Sequence, residues 1–178
     1  MTHYIRAICF DCGDTIIDEA TEIKRPGSDI TVRAKLISGA DQVLRELKRR
    51  GYPLALVADG PVETFRNALS QHGLYDLFDA YAISSEVGVD KPHPRMFFTA
   101  LEQLHVTQED YKRVVMVGNY LARDIKGANQ VGLISVWLNW SPRRPKVPAD
   151  DSEVPRFTIT TPLQLLPVID SLERRTDE

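Results

Sequence analysis

The 178-residue sequence is poor in several features that mark particular classes of protein. Acidic residues outnumber basic ones, 25 to 22, so the chain lacks the positive field of a nucleic-acid-binding protein. No apolar run approaches the roughly 20 residues needed to cross a bilayer. The four histidines show no metal-binding spacing. We therefore expect neither nucleic acid nor a membrane as a partner.

The chain also has little cysteine, and we expect no secretory leader. Cys9 and Cys12 form an isolated C-x-x-C motif, without a second ligand pair for zinc or a helix start for a redox site. We interpret them as buried thiols. The amino-terminal residues lack the long apolar stretch and the small-residue cleavage site of a signal peptide. These absences predict a cytoplasmic protein.

The composition that remains is that of a globular domain, with 43% hydrophobic and 26% charged residues. A chain of this length fits one domain, so residues 1–178 are predicted to form a single core domain. Short apolar runs alternate with helical patterns that begin near residues 39, 62, 94, 122 and 162. The predicted strands are 5–10, 53–58, 80–83, 114–117, 134–138 and 157–159.

This alternation predicts an α/β fold, a three-layer Rossmann-like parallel sheet with helices on both faces. Polar residues of segments 21–30 and 141–155 indicate surface loops. Ligands of such sheets bind outside the carboxyl ends of the strands, where we expect the following residues to meet. They are Asp11, Cys12, Gly13 and Asp14, then Asp59 and Gly60, then Asp90 and Lys91, and finally Asn119 and Asp124.

Chemistry involving Mg²⁺ and phosphate suits this edge. Asp11 and Asp124 could supply the carboxylate pair that Mg²⁺ prefers, which would let Asp11 attack a neutralised phosphate. Lys91 would balance the carboxylates and hold the phosphate. Backbone N–H groups near Asp59 and Gly60 would donate to phosphate oxygens.

Four segments carry a resemblance to a known family: CFDCGDT at 9–15, LVADG at 56–60, VGVDKP at 87–92, and VGN at 117–119 followed by DIKGA at 124–128. With these motifs in this order, the chain resembles the haloacid dehalogenase-like (HAD) hydrolase superfamily over nearly its whole length. The resemblance implies that Asp11 is a nucleophile forming an aspartyl-enzyme intermediate. It also implies that the Gly13 carbonyl and the Asp124 side chain complete the Mg²⁺ ligation, and that Lys91 balances the phosphate.

Three positions depart from the family pattern. The place of the second aspartate, the general acid and base of the family's phosphatases, is Gly13, with Asp14 one residue further on. The Ser or Thr phosphate donor is replaced by Ala58, and the first acid of the fourth motif by Asn119, which can still accept from a metal-bound water. Loss of a general acid typically lowers the rate by about 10²–10⁴-fold.

The altered first motif leaves several interpretations open. Asp14 either replaces the missing acid or caps the following turn. Alternatively the substrate needs no protonated leaving group, or the domain binds phosphate and metal without turnover. We expect a Mg²⁺-dependent phosphatase acting through Asp11. The alternative is a catalytically weakened binding or regulatory module, and the third choice is a 2-haloacid dehalogenase.

Family members usually carry a cap domain at one of two insertion points, and neither is long enough for one here. We predict a capless member in which the loop 18–30 forms a small flap. An open site would admit a small phosphorylated molecule or a larger one, unless a second copy of the chain closes it as a homo-oligomer. The segment with Trp140, Arg143 and Arg144 either holds an anionic substrate or is a solvated surface loop, which we favour.

Overall fold

The computed structural model describes residues 3–174 and has a six-stranded, entirely parallel sheet at its centre. Its strands are β1 (Ala7–Phe10), β4 (Leu54–Ala58), β5 (Ala80–Ile83), β6 (Val114–Gly118), β7 (Ile134–Leu138) and β8 (Phe157–Ile159). A further pair, β2 (Ile17–Lys24) and β3 (Thr31–Leu36), forms a separate antiparallel ribbon. The order β5-β4-β1-β6-β7-β8 places β1 beside both β4 and β6, in the interior of the sheet. The predicted α/β fold and all six predicted sheet strands are confirmed.

Both faces of the sheet are covered, which explains why its strands are continuously apolar. Along β1, Ile8 and Phe10 pack into one hydrophobic cluster, while Ala7 and Cys9 pack into another on the opposite face. Alternate side chains of a strand point to opposite faces, so a strand buried on both sides has no polar face in its sequence. The two clusters are the core of the molecule.

Six helices form the outer layers: α1 (Ala40–Arg49), α2 (Val62–Ser70), α3 (Ser84–Val87), α4 (Pro94–Gln103), α5 (Lys126–Val131) and α6 (Leu165–Arg174). Helices α1, α2 and α6 contribute to the cluster of Ile8 and Phe10, whereas α4 and α5 contribute to that of Ala7 and Cys9. The predicted helix over 122–130 differs in detail, because a π-helical turn at Leu121–Ile125 precedes α5. No helix among residues 3–174 is long and apolar enough to span a bilayer.

The prediction of a loop at 21–30 was wrong for its first half, which belongs to β2. The two strands of the ribbon pair in antiparallel register, with Ile17 opposite Leu36 and Lys24 opposite Thr31. The ribbon stands apart from the large sheet and buries few of its side chains, so its sequence is polar and lacks the apolar run by which the other strands were found. The predicted flap is therefore a β-ribbon, and no cap domain is present among residues 3–174.

The thiols of Cys9 and Cys12 are buried and not joined in a disulfide. Burial raises the pKa of Cys9 to about 12, and burial together with the Asp11 charge raises that of Cys12. A thiol with such a pKa stays protonated at neutral pH and is a poor nucleophile. The geometry agrees with the interpretation of two buried thiols.

Helix α5 packs closely on α4 at Gly127, where there is no room for a side chain. A Cβ on Gly127 would approach the ring of the buried Phe97 to less than 3.0 Å, and would lie 3.3 Å from Cα of Pro92. Alanine normally stabilises a helix by about 1 kcal/mol relative to glycine. Here we expect Gly127→Ala to lower the free energy of unfolding by about 1–3 kcal/mol, because overpacking outweighs helix propensity. Urea denaturation measures the change.

The control for this prediction is a double-mutant cycle with Phe97→Leu, which removes the edge of the ring. In that background the penalty of Gly127→Ala should shrink, because the added methyl group gains space. A Gly127→Ala protein as stable as wild type, or an equal penalty in both backgrounds, would contradict the proposed collision.

Candidate active site

The candidate active site lies at the carboxyl end of the central strand β1. Asp11 follows Phe10, and its backbone N–H donates to the Val117 carbonyl at 2.9 Å, which continues the pairing with β6. Its carboxylate accepts from Lys91 Nζ at 2.7 Å through Oδ1 and from Thr15 Oγ1 at 3.2 Å through Oδ2. The side chain is 13% exposed, so the Asp11 carboxylate is held in place yet remains accessible to a substrate.

Lys91 connects three strand ends. Its backbone N–H donates to Asp59 Oδ1 at 2.9 Å, after β4, and its Nζ donates to the Val57 carbonyl at 2.7 Å. The same Nζ lies 2.7 Å from Asp11 Oδ1 and 2.8 Å from Asp124 Oδ1. The side chain is 2% exposed, so these three protein oxygens take the place of water around the ammonium group.

Asp124 and Asn119 follow β6. Asp124 is carried by the π-helical turn, and its Oδ2 accepts from the Tyr120 backbone N–H at 2.9 Å. Its buried Oδ1 is ion-paired with Lys91 Nζ at 2.8 Å. Asn119 Nδ2, by contrast, is buried and has no hydrogen-bond partner among the described residues. A buried polar atom without a partner at a pocket suits a place where a ligand is bound.

The electrostatics of this group reflect crowded negative charge. Burial alone would lower the pKa of Lys91, but the carboxylates of Asp11, Asp124 and Asp59 raise it above its ordinary value. Burial and the Asp11 charge raise the pKa of Asp124, against the opposing effect of Lys91. One ammonium group thus leaves part of the carboxylate charge uncompensated, and a bound cation would reduce that repulsion.

These residues fit the magnesium ion that the family resemblance implies. Asp11, Gly13, Asn119 and Asp124 line one pocket, and they offer two carboxylates, a carbonyl and an amide oxygen. Mg²⁺ is usually held by one or two carboxylates together with water and substrate phosphate. Within residues 3–174 no group of three or more histidine, cysteine, aspartate or glutamate side chains is arranged to hold a metal ion.

The residues after β4, which we predict to donate to phosphate, make other contacts in the structure. The Asp59 carboxylate accepts from the Lys91 backbone N–H and from Arg123 NH1 at 3.1 Å, and the Gly60 N–H donates to Ser84 Oγ at 2.9 Å. The Gly60 donor is therefore already used, and a carboxylate repels phosphate. Both residues line the pocket, but their contacts indicate that they position Lys91 and the loop.

Asp14 does not fit the acid role that the sequence left open for it. It adopts a left-handed backbone, with φ of 54°, and its side chain is fully buried. Its oxygens accept from both the Nε and the NH2 of Arg143, from Ser141 Oγ at 2.7 Å, and from the Glu19 backbone N–H at 3.1 Å. Burial would raise the pKa of Asp14, but these hydrogen bonds lower it. Asp14 is absent from the pocket lining, so the interpretation as a turn-stabilising residue fits better.

The loop after β7 is ordered by ion pairs and is not merely a solvated surface. Arg143 pairs with Asp14 and with Asp18, at 2.8 Å to Asp18 Oδ1, and Arg144 NH2 lies 3.0 Å from Glu19 Oε2. Trp140 packs against the core with the Arg143 guanidinium 5.9 Å from its ring centroid. The favoured interpretation, a surface loop with one packed tryptophan, holds for Trp140, but the two arginines are paired with acidic residues on a ribbon that the sequence did not reveal.

Several residues of the pocket were missed by the sequence analysis, and the one nearest to Gly13 is Glu19 on β2. A Cβ placed on Gly13 would overlap Glu19 Oε1 and would lie 3.0 Å from Glu19 Cδ. Burial and the charge of Asp14 raise the pKa of Glu19, against the lowering effect of Arg144. Nothing in a polar run such as residues 17–24 distinguishes this glutamate from its neighbours, so only the three-dimensional contact identifies it.

The pocket has a volume of about 340 Å³ and brings strand-end residues together with the ribbon. Besides the residues already described, Arg123, Tyr120 and Arg144 line it, and both guanidinium groups lie over the Tyr120 ring, at 5.5 Å and 5.1 Å from its centroid. His93, by contrast, accepts from the Arg95 backbone N–H and caps α4. The geometry is that of an open acidic pocket with the buried Lys91 between its carboxylates.

Comparisons with known proteins bear on the family of the chain. The family model of haloacid dehalogenase-like hydrolases matches residues 19–132. A glyceraldehyde 3-phosphate phosphatase from Methanopyrus kandleri is 34% identical over 131 residues, which cover 74% of this chain and 55% of the relative. A phosphoserine phosphatase from Thermus thermophilus is 37% identical over 107 residues, 60% of this chain and 42% of that protein.

The fold itself is also found among solved structures. A HAD-hydrolase from Bacillus subtilis superposes with a TM-score of 0.75 at 20% sequence identity, covering 93% of this chain and 98% of that one. The chain spans about half the length of the curated relatives it matches. On the family model and the identity to these relatives, the chain belongs to the haloacid dehalogenase-like hydrolase family.

Proposed function

We propose that the protein is a Mg²⁺-dependent phosphomonoesterase in which Asp11 is the nucleophile. The observation that supports this most is the placement of Lys91 Nζ within 2.8 Å of both Asp11 and Asp124 at the carboxyl end of the sheet. A lysine buried between two carboxylates serves no packing need that an apolar side chain would not meet better. It does suit a site that holds a nucleophile, a cation and a phosphate together.

In this proposal each residue has one task. Asp11 attacks phosphorus through a carboxylate oxygen, while Thr15 and Lys91 fix its orientation by hydrogen bonds. Lys91 also offsets the charge of the phosphoryl oxygens. Asp59 and Gly60 position Lys91 and the loop that faces the phosphate. Magnesium, held by Asp11, the Gly13 carbonyl and Asp124 with the help of Asn119, would neutralise phosphate charge when bound.

The substrate class follows from the pocket and from the relatives. Two relatives are named for phosphatase activity on small phosphorylated metabolites, which supports a small phosphomonoester here. No cap covers the pocket among residues 3–174, so we propose that residues 1–178 form one core domain with an open site. Larger phosphorylated substrates remain compatible with that opening.

The alternative is a module that binds phosphate and metal without turnover. Its support is the set of departures at Gly13, Ala58 and Asn119, together with the Gly60 N–H that is already occupied by Ser84. A module of this kind would bind the same ligands but would never transfer the phosphoryl group. Activity and ligand binding must therefore be measured separately.

The first prediction concerns turnover. Wild-type protein should hydrolyse members of a phosphomonoester panel, including p-nitrophenyl phosphate, with Mg²⁺ and not with a chelator. Asp11→Asn should reduce activity to background, because the amide keeps the hydrogen-bond geometry but is no nucleophile. Asp76→Asn, an exposed residue outside the pocket, is the matched control and should retain activity. Equal hydrolysis by wild type and Asp11→Asn would contradict the proposal.

The second prediction concerns binding without turnover. Mg²⁺ with beryllofluoride, which mimics a phosphoryl group on aspartate, should raise the melting temperature of the wild type. A hundredfold excess over the dissociation constant corresponds to about 2.7 kcal/mol of stabilisation. Asp11→Asn should lose the shift that depends on beryllofluoride. An identical shift in both proteins would place the phosphate mimic somewhere other than Asp11.

The third prediction tests the structural role of Asp14. Arg143→Met should lower the free energy of unfolding at pH 7 by about 1–3 kcal/mol, because it leaves a buried carboxylate without its main donor. Since the folded-state pKa of Asp14 is lowered, the stability it contributes is present above the ordinary carboxyl pKa of about 4 and is lost as pH falls through the folded-state value. The difference in the free energy of unfolding between wild type and Arg143→Met should therefore become smaller from pH 7 to pH 3.

Urea denaturation across this pH range measures the difference. Arg95→Met, an exposed arginine on α4, is the control and should change stability little at any pH. A gap between wild type and Arg143→Met that stays constant with pH would show that the Asp14 ion pair is not its source.

A further inference from the structure

Glycine at position 13 is not required by the backbone. Its φ does not lie in the left-handed range, in contrast to seven of the chain's glycines, so an ordinary L-residue could adopt this conformation. Its neighbours Cys12 and Asp14 both carry side chains. The feature that distinguishes position 13 is therefore the space around it.

That space is filled by the carboxylate of Glu19. A Cβ on Gly13 would overlap Glu19 Oε1 and would meet Cδ at 3.0 Å and Cγ at 3.1 Å. Any side chain at position 13 would displace this glutamate. Asp11, Gly13 and Glu19 line the same pocket, so the carboxylate reaches from the ribbon to the place that a side chain at position 13 would otherwise occupy.

Glu19 is held there from two sides. Its backbone N–H donates to Asp14 Oδ1 at 3.1 Å, and its Oε2 accepts from Arg144 NH2 at 3.0 Å. Its Oε1 accepts no hydrogen bond from any residue between 3 and 174, and the side chain is 30% exposed. One oxygen is therefore anchored, while the other is available to a substrate or a water in the pocket.

We propose that Glu19 is the general acid and base of the reaction, in place of the second aspartate that position 13 lacks. The inference rests on the proposed function, since it assigns a role within phosphoryl transfer to and from Asp11. It also explains two other features. Asp14 and Arg144 become positioning residues for Glu19, and Gly13 becomes the residue that leaves room for it.

Phosphoryl transfer to and from Asp11 takes two steps. An Asp11 carboxylate oxygen forms a bond to phosphorus as the bond from phosphorus to the leaving oxygen breaks, and the proton of the Glu19 carboxyl group passes to that oxygen to give the alcohol. Water then attacks phosphorus, its proton passes to the Glu19 carboxylate, and the bond between phosphorus and Asp11 breaks. Inorganic phosphate leaves, and both side chains return to their starting forms.

The test compares substrates whose leaving groups differ in their need for a proton. Values of kcat/KM are measured with Mg²⁺ for p-nitrophenyl phosphate and for phenyl phosphate, whose leaving group is the poorer one. Glu19→Gln should lower kcat/KM for phenyl phosphate by about 10²–10⁴-fold, as expected for loss of a general acid. For p-nitrophenyl phosphate the loss should be about tenfold or less, because nitrophenolate leaves without protonation.

Two further variants separate catalysis from structure. Glu22→Gln changes another glutamate of β2 and should leave the ratio of the two kcat/KM values as in wild type. The double variant Gly13→Asp, Glu19→Ala moves the carboxylate to position 13. Its kcat/KM for phenyl phosphate should be at least tenfold higher than that of Glu19→Ala alone. Gly13→Asp alone should not improve on wild type, because its side chain collides with Glu19.

The outcomes distinguish the two proposals. If Glu19→Gln lowers kcat/KM equally for both esters, or not at all, the role of Glu19 is overturned. The phosphatase proposal still stands in that case, provided that Asp11→Asn inactivates the enzyme. Absence of Mg²⁺-dependent hydrolysis of every ester by the wild type would overturn both proposals. We expect Glu19→Gln to keep the rise in melting temperature that beryllofluoride causes. Loss of this rise would show that Glu19 is needed for binding and not for proton transfer.

Discussion

The attraction of one buried ammonium group for two carboxylates holds the site together. Lys91 lies between Asp11 and Asp124, whose negative charges would otherwise repel each other across the strand ends. Because the lysine is fixed by Asp59 and the Val57 carbonyl, β1, β4 and β6 must keep their relative heights in the sheet for the three charges to meet. The parallel register of the sheet therefore determines the chemistry at its edge.

A second set of ion pairs organises the space above those strand ends. Arg143 and Arg144, in the loop after β7, reach across to Asp14 and Glu19 in the turn and the ribbon that follow β1. The loop and the ribbon are distant in sequence, yet each fixes the other. Arginine suits this task because its planar group can donate to several carboxylate oxygens at once. The ribbon is thereby held at the pocket, with no cap domain among residues 3–174.

The sequence predicts the parts of the fold that have a local hydrophobic pattern. It does not predict the parts that depend on contacts between residues far apart in the chain. The six apolar strands, and Asp11, Lys91 and Asp124 at their ends, were predictable because buried parallel strands lack polar positions and their carboxyl ends share one edge. The β2–β3 ribbon was not, since a sparsely buried pair of strands has no hydrophobic period. Glu19 could not be found either, because its place in the pocket depends on the fold of this ribbon and on its contact with Gly13.

The tip of the ribbon has a consequence for how this scaffold could be extended. Residues 25–30 close the hairpin through hydrogen bonds between Arg25 and Ile30 and between Ser28 and Arg25, while the ion pairs with Arg143 and Arg144 attach only near its base. A longer segment, or a whole folded module, could be inserted at this tip while the base keeps its position. Substrate range could thus be engineered by inserting a segment at the hairpin tip that covers the pocket, without changing the reacting groups at the strand ends.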